Sequence, residues 1–376
     1  MSEEEKKAFK LWFDRKAATR LARQISGAWP EFDAKAFVTT TTRGIDGLEF
    51  HGRVRQFSDA LRRHLPGEIP LALGILQRSL PDVEVSDEAV SEGWLQWPLG
   101  QFIADHAVDE LDAAFEAMIA LTQRFTSEFA VRPFAEAHQD EVLARLLALT
   151  THPSQHVRRW CSEGVRPRLP WGRRLRALVV DPAPLFPILE ALKDDSSPYV
   201  RRSVANHLND IAKDHPETVV ALCGRWQEDG KAPDTRRWIV RHALRSLVKA
   251  GHPGALSLMG VAPVASLQAR LLLSPRTVSI GQGVAMDLTL SHDEKSVRPV
   301  VVDYIVHYVR QRGQVGEKVF KWKNVELPPR TDICLGKVHP MRTTTIRALY
   351  PGEHVVEIQI NGQRVARDSF VLMEED

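Results

Sequence analysis

Three arginine pairs recur at repeat-like intervals, and that recurrence restricts the fold more than any other feature of the 376-residue chain. They are Val157-Arg158-Arg159-Trp160, Val200-Arg201-Arg202-Ser203 and Thr235-Arg236-Arg237-Trp238, with steps of 43 and 35 residues. Periods of this size belong to stacked two-helix units, each of which buries its apolar face only against its neighbours. Each pair follows a turn-forming stretch such as Asp194-Asp195-Ser196-Ser197-Pro198, which places the arginines in the first turn of each unit's second helix. Those second helices line the inner face of such a stack.

The hydrophobic pattern agrees over the first two thirds of the chain. From residue 9 to about 260 apolar residues fall at three- and four-residue spacing, as in 115–125 and 185–192. Breaks fall at Leu65-Pro66-Gly67, Trp97-Pro98-Leu99-Gly100, His152-Pro153-Ser154, His215-Pro216-Glu217 and Gly251-His252-Pro253, which implies helices of roughly 10–15 residues with short turns. After Val261 the period changes to two. Short alternating runs at 270–274, 278–280, 284–290, 300–310, 318–322, 343–348, 354–360 and 364–371 read as strands. Asn361-Gly362 marks a hairpin because both residues accept positive φ. The expected architecture is multidomain α + β: an all-α HEAT-like repeat solenoid over residues 1–262, then an all-β immunoglobulin-like sandwich over 266–376.

Charge is unevenly spread. Residues 151–250 hold 18 Lys/Arg against 11 Asp/Glu, a net of +7, whereas the whole chain stands at +2. A local surplus of that size suits a polyanion. The three cysteines, Cys161, Cys223 and Cys334, are far apart and form no CxxC pair, which fits a reducing cytoplasm and argues against a disulfide framework or a zinc site. Cys161 and Cys223 read as core thiols, Trp94 and Trp97 as packing residues, and Gly281-Gln282-Gly283 as a strand turn. No apolar run approaches the length that spans a bilayer, and the charged first ten residues lack a signal-peptide core.

The repeat register lines up acids as well. Arg124-Phe125-Thr126-Ser127-Glu128 matches Arg159-Trp160-Cys161-Ser162-Glu163, and Val-Arg-Pro follows each, at Val131-Arg132-Pro133 and Val165-Arg166-Pro167. Glu128 and Glu163 are therefore expected at equivalent places on successive inner helices, followed in register by Asn206 and Arg241. Asp210, one turn beyond Asn206, shares its helical face. The competing account of any one such residue is an ion pair between adjacent repeats. Three acids in a groove meant only for phosphates would oppose binding, so they point to a cation stabilised there.

Arg158, Arg159, Arg166, Arg168, Arg201, Arg202, Lys213, Arg236, Arg237 and Arg241 are the cations assigned to double-stranded DNA, holding backbone phosphates without reading sequence. Cleavage of an N-glycosidic bond leaves positive charge on the deoxyribose. A base alkylated at N3 or N7 is already cationic and leaves without protonation, so fixed carboxylates at Glu128, Glu163 and Asp210 would suffice as electrostatic catalysts. Trp171, in Leu169-Pro170-Trp171-Gly172, would press its ring on the sugar; its competing role is packing after a proline.

The stretches 162–172 (Ser162-Glu163-Gly164-Val165-Arg166-Pro167-Arg168-Leu169-Pro170-Trp171-Gly172) and 199–216, from Tyr199-Val200-Arg201-Arg202 through Asn206-His207-Leu208-Asn209-Asp210 to His215-Pro216, strongly resemble the AlkC-type 3-methyladenine DNA glycosylases of the AlkC/AlkD HEAT-like repeat superfamily. Weaker similarity covers most of 9–260, and the sandwich is similar to that of the subgroup carrying an immunoglobulin-like domain. The resemblance implies monofunctional removal of small cationic bases, chiefly N3-methyladenine with N3-methylcytosine as a further candidate, without base flipping. It implies Glu128, Glu163 and Asp210 as active-site acids with Trp171 beside the deoxyribose, and a sandwich that helps clasp DNA. The expected protein is a cytoplasmic monomer with no cofactor, no metal and no membrane partner. The alternatives are a non-catalytic helical scaffold on damaged DNA or on a protein, and a protein-binding solenoid with no nucleic-acid role.

Overall fold

The structure, a computed structural model, describes residue 9 and residues 11–82, 93–228, 232–344 and 348–374. Its α-helices run in chain order as α1 (Arg15–Ala28), α2 (Ala34–Thr42), α3 (Phe50–His64), α4 (Ile69–Arg78), α5 (Trp97–His106), α6 (Leu111–Thr122), α7 (Arg132–Ala137), α8 (Gln139–Ala148), α9 (Gln155–Glu163), α10 (Arg176–Val180), α11 (Phe186–Leu192), α12 (Pro198–Ile211), α13 (Pro216–Glu228), α14 (Asp234–Ala243), α15 (Arg245–Ala250) and α16 (Pro253–Leu258). Several are shorter than the expected 10–15 residues: α7, α10, α11, α15 and α16 hold five to seven. None of the described helices is long and apolar enough to cross a membrane.

Side-chain caps set a few of the starts. The Asp14 and Asp33 carboxylates accept from the Ala17 and Ala36 amides at the heads of α1 and α2, and Ser197 caps α12, whose first residue is proline. Helix α9 packs on α12, and α12 on α14. Val157, Trp160 and Cys161 on α9, and Val200, Val204 and Leu208 on α12, repeat at three- and four-residue steps and are fully buried. The arginine pairs fall at the third to fifth residues of α9, α12 and α14, at or just past the first turn.

Two details of the register differ from the sequence reading. Helices α9, α12 and α14 begin at 155, 198 and 234, so the second step is 36 residues, not 35. His242 rather than Arg241 therefore follows Asn206 in register, and its Nε2 lies 3.1 Å from Asn206 Oδ1. Alignment on the doubled arginine hid the shift, because Trp238 and not an arginine occupies the second place. Glu128, expected on a helix, lies in a turn just before α7, since Pro133 admits a helix only from about that point.

The C-terminal part is all β: β1 (Gln268–Ser274), β2 (Thr277–Ser279), β3 (Gly283–Ser291), β4 (Arg298–Val309), β5 (Val315–Leu327), β6 (Ile333–Pro340), β7 (Gly352–Ile360) and β8 (Gln363–Met373). One sheet has the order β1-β3-β6 and the other β2-β8-β7-β4-β5, antiparallel except for β2 on β8. Val284, Met286, Leu288 and Leu290 alternate inward from β3 to meet Val300, Val302, Tyr304 and Val306 of β4 in one core. Asn361 and Gly362, at φ 47° and 80°, turn β7 into β8 as expected. The strand expected at 343–348 is not seen at its described positions, and residues 345–347 lie outside the described set. The sequence reading instead missed β6: its inward face, Ile333 and Leu335, continues as Lys337 and His339, so the apolar alternation fades half-way.

The chain divides into two compact units, Met1–Val219 with Trp226–Ala243, and Val220–Arg225 with Leu244–Asp376, so α15 and α16 group with the strands. Within that second unit Gln359 Nε2 donates to the Lys249 carbonyl at 3.0 Å, and Asn361 Nδ2 to the Ala262 carbonyl at 2.7 Å.

Candidate active site

The three acids singled out from the sequence are joined by a chain of alternating charge. Glu128 Oε2 lies 2.6 Å from Arg159 Nη1, and Arg159 Nη2 lies 3.4 Å from Glu163 Oε1. The same Glu163 oxygen accepts from Arg166 Nη1 at 2.6 Å; Arg166 also donates to Asp210 Oδ2, and Asp210 Oδ1 accepts from Lys213 at 2.8 Å. Glu163 closes α9 and Asp210 lies near the end of α12, so the packing of those two helices brings the carboxylates to a shared arginine. Both are buried, with 8% and 4% of their side chains exposed, whereas Lys213 is half exposed.

Other groups fix this chain in place. Ser203, one turn into α12, donates to Glu163 Oε2 at 2.5 Å, and Thr126 donates to Glu128 Oε2 at 3.1 Å. Burial works against the charge on Arg159, but Glu128 and Glu163 more than offset it and hold its pKa above the usual value. Its guanidinium also lies over the Tyr199 ring, 5.2 Å from the centroid.

Trp171 stands at the tip of the loop between α9 and α10. It is 64% exposed and holds a left-handed backbone, φ 63°, that non-glycine residues seldom adopt. The loop is clamped by Arg132, which is wholly buried: Nε and Nη2 both donate to the Arg173 carbonyl, and Nη1 donates to the Gly164 carbonyl at 2.8 Å. Burial pulls the Arg132 pKa down to about 10, so it remains a cation at neutral pH. No side chain fits at Gly164 in this arrangement, because a Cβ there would overlap Val131. Trp171 and Thr126, the hydroxyl partner of Glu128, line one cleft of about 390 Å³. Its aromatic wall includes Trp97 and Phe129, stacked at 5.3 Å, and Phe125.

The cations assigned to DNA differ in what they already hold. Arg158 forms a two-pronged pair with Asp195, Arg168 with Asp214 and Arg236 with Asp194, and Arg237 binds Asp234. Arg158, Arg201 and Arg237 also donate to carbonyls five or six residues upstream, bracing the turn before their helices. The repeated arginine thus braces a turn at Arg158, Arg201 and Arg237, and at Arg158, Arg168, Arg236 and Arg237 an aspartate competes for the guanidinium with the phosphates expected from the sequence. Arg159 and Arg166 belong to the acid chain. Arg202 and Arg241 are exposed, with no carboxylate partner among the described residues.

Residues 268–374 match the family described as the C-terminal Ig-like domain of the uncharacterised protein YhaZ. The chain is 33% identical to the uncharacterized protein YhaZ of Bacillus subtilis (strain 168) over 353 residues, covering 93% of this chain and 95% of that one. It superposes on the Pseudomonas fluorescens alkylpurine DNA glycosylase AlkC, solved with DNA containing an abasic site analog, with a TM-score of 0.87 and 34% identity. That match covers 97% of this chain and 99% of the AlkC chain. The chain belongs to the AlkC/YhaZ family. In this AlkC/YhaZ chain the sequence reading passed over Arg132, Ser203 and Thr126. Arg132 was visible as the counterpart of Arg166 in the doubled Val-Arg-Pro, yet the two arginines do different work: one bonds acids, the other bonds backbone. Ser203 had no sequence signal, since only the helix packing brings it to Glu163.

Proposed function

We propose that the chain is a monofunctional DNA glycosylase that hydrolyses the N-glycosidic bond of small cationic alkylated bases, N3-methyladenine first and N3-methylcytosine as the second candidate. The observation that carries this reading is the chain of ion pairs that joins Glu128, Glu163 and Asp210 through Arg159 and Arg166, the latter on the clamped loop that exposes the Trp171 ring. Family membership and the superposition on AlkC support it. A base that already bears positive charge leaves without a proton donor, and the charge then builds on the deoxyribose. Carboxylates held by Arg159, Arg166 and Ser203 need no reorganisation as that charge develops, which is the condition under which electrostatic stabilisation is worth most. Trp171 would cover one face of the sugar and keep bulk water from it, while an acid orients the attacking water. The base stays in the duplex, no cofactor is required, and the protein acts on alkylated double-stranded DNA as a cytoplasmic monomer.

Single-turnover release of methyladenine from a methylated duplex tests the reading. Replacing Glu163→Gln together with Asp210→Asn should slow release by on the order of a hundredfold or more, while binding to an abasic-site duplex persists. Undiminished release in that double variant would remove the mechanism. The second reading, a non-catalytic scaffold on damaged DNA or a protein, draws on one observation: every acid is already paired with a cation. It requires DNA retention with no abasic product even at high protein concentration.

A further inference from the structure

We propose that the backbone of the lesion-bearing strand is gripped by an arginine basin at the Trp171 loop, formed by Arg168, Arg173, Arg174 and Arg176, ahead of the aspartate-paired repeat arginines Arg158, Arg236 and Arg237. The inference rests on the glycosylase reading for its ligand, DNA, and locates the phosphates within that reading. These four arginines and Glu136 border a single surface depression, and Arg173 also borders the aromatic cleft that Trp171 lines. Arg173 is therefore common to the two recesses, with Trp171 two residues away.

Charge makes this basin unlike those three repeat positions. Arg158, Arg236 and Arg237 give their guanidiniums to aspartates, and contact with phosphate would require breaking those pairs. In the basin Arg168 is oriented by Asp214 and Arg173 by Glu136 at 2.7 Å, but Arg174 and Arg176 are exposed with no carboxylate partner among the described residues. The depression thus carries two uncompensated positive charges. Geometry adds to this. Arg132 fixes the Arg173 carbonyl, so the backbone bearing the cluster is held before any ligand arrives. A single DNA strand presents a phosphate about every 3.4 Å along its axis. A cluster two to five residues from the ring meant for the lesion's sugar faces the phosphates of that same strand.

The test uses the full chain and a duplex containing a tetrahydrofuran abasic-site analogue, with affinity read by fluorescence anisotropy across a salt series. Arg174→Gln with Arg176→Gln should reduce the slope of log affinity against log salt by about 2 in magnitude, since each phosphate contact contributes about 0.9. Arg174→Lys with Arg176→Lys should restore it, and Arg158→Gln should leave it unchanged. Single neutral methylphosphonates beside the abasic site on the lesion strand should weaken the wild-type protein and not the Gln variant. A wild-type slope in the Gln variant, or methylphosphonate losses confined to the opposite strand, would overturn the proposal. Binding that behaves as stated with no base release from methylated DNA would instead refute the glycosylase reading alone.

Discussion

His207 lies on α12 one turn before Asp210, fully buried, with Nδ1 3.4 Å from Ser162 Oγ. Burial, with the Arg166 cation close by, pushes its pKa down to about 3. In an unfolded chain the value is about 6.5. The protonated ring is thus accepted by the unfolded chain and refused by the folded one, so stability is complete above about pH 6.5 and declines as pH falls toward 3, by up to about 1.4 kcal/mol per unit. Urea unfolding at pH 7 and pH 5 should therefore show a loss that is smaller by about 2 kcal/mol in His207→Gln than in the parent. Equal losses in the two proteins would show that another group sets the acid limit. Glu128 and Glu163 could be picked from the sequence because duplicated motifs repeat around them, and Asp210 because it lies one turn beyond the next position in register. No such doubling marks His207, and its neutrality follows from burial that only packing creates.

At the scale of elements, the loop from Gly164 to Arg173 has little regular structure and is held by side chains: Arg166 pairs outward with Glu163 and Asp210, Arg168 with Asp214 and Arg173 with Glu136, and Arg132 ties the two ends together. Arg132 supplies three donors to its two ends, and the backbone bonds Arg166 N to Glu163 O, Gly172 N to Leu169 O and Leu175 N to Pro167 O brace it further. Arg132→Met should leave α8 protected from amide exchange while residues 164–175 exchange at least tenfold faster, with base release falling toward the level of Trp171→Ala. Unchanged exchange in the loop would mean that it holds itself. Helices and most strands were legible because their apolar periods are long. Strand β6 was not, since its inward face runs through a lysine and a histidine, and the 36-residue step was not, since Arg237 and Arg236 look alike until their hydrogen bonds are seen.

Over the whole molecule, the switch from a period of 3.6 to one of 2 announced a helical part and a sandwich, and both are present. The expected boundary at 262–266 follows that change of pattern, whereas compactness places α15 and α16 with the strands. Hydrogen bonds from Gln359 and Asn361 accord with that grouping: side chains of the β7–β8 region satisfy carbonyls of α15 and of the segment after α16. We propose 262–266 as the limit of the repeat pattern rather than of a folding unit. Sequence pattern reports which faces must be covered; it says little about which neighbour covers them.

Trp171 turns an unfavourable backbone and bares most of a large ring to solvent. Replacing a well-packed tryptophan ordinarily costs 3–5 kcal/mol, roughly speaking. Here the relief of a left-handed conformation, about 1–2 kcal/mol, offsets the little contact that is lost. Trp171→Gly should accordingly melt within a few degrees of the parent while base release collapses, and a steep drop in melting temperature would show that the ring holds up the fold. A position so indifferent to folding and so awkward for the chain is one that natural drift would empty, unless something other than stability keeps it filled.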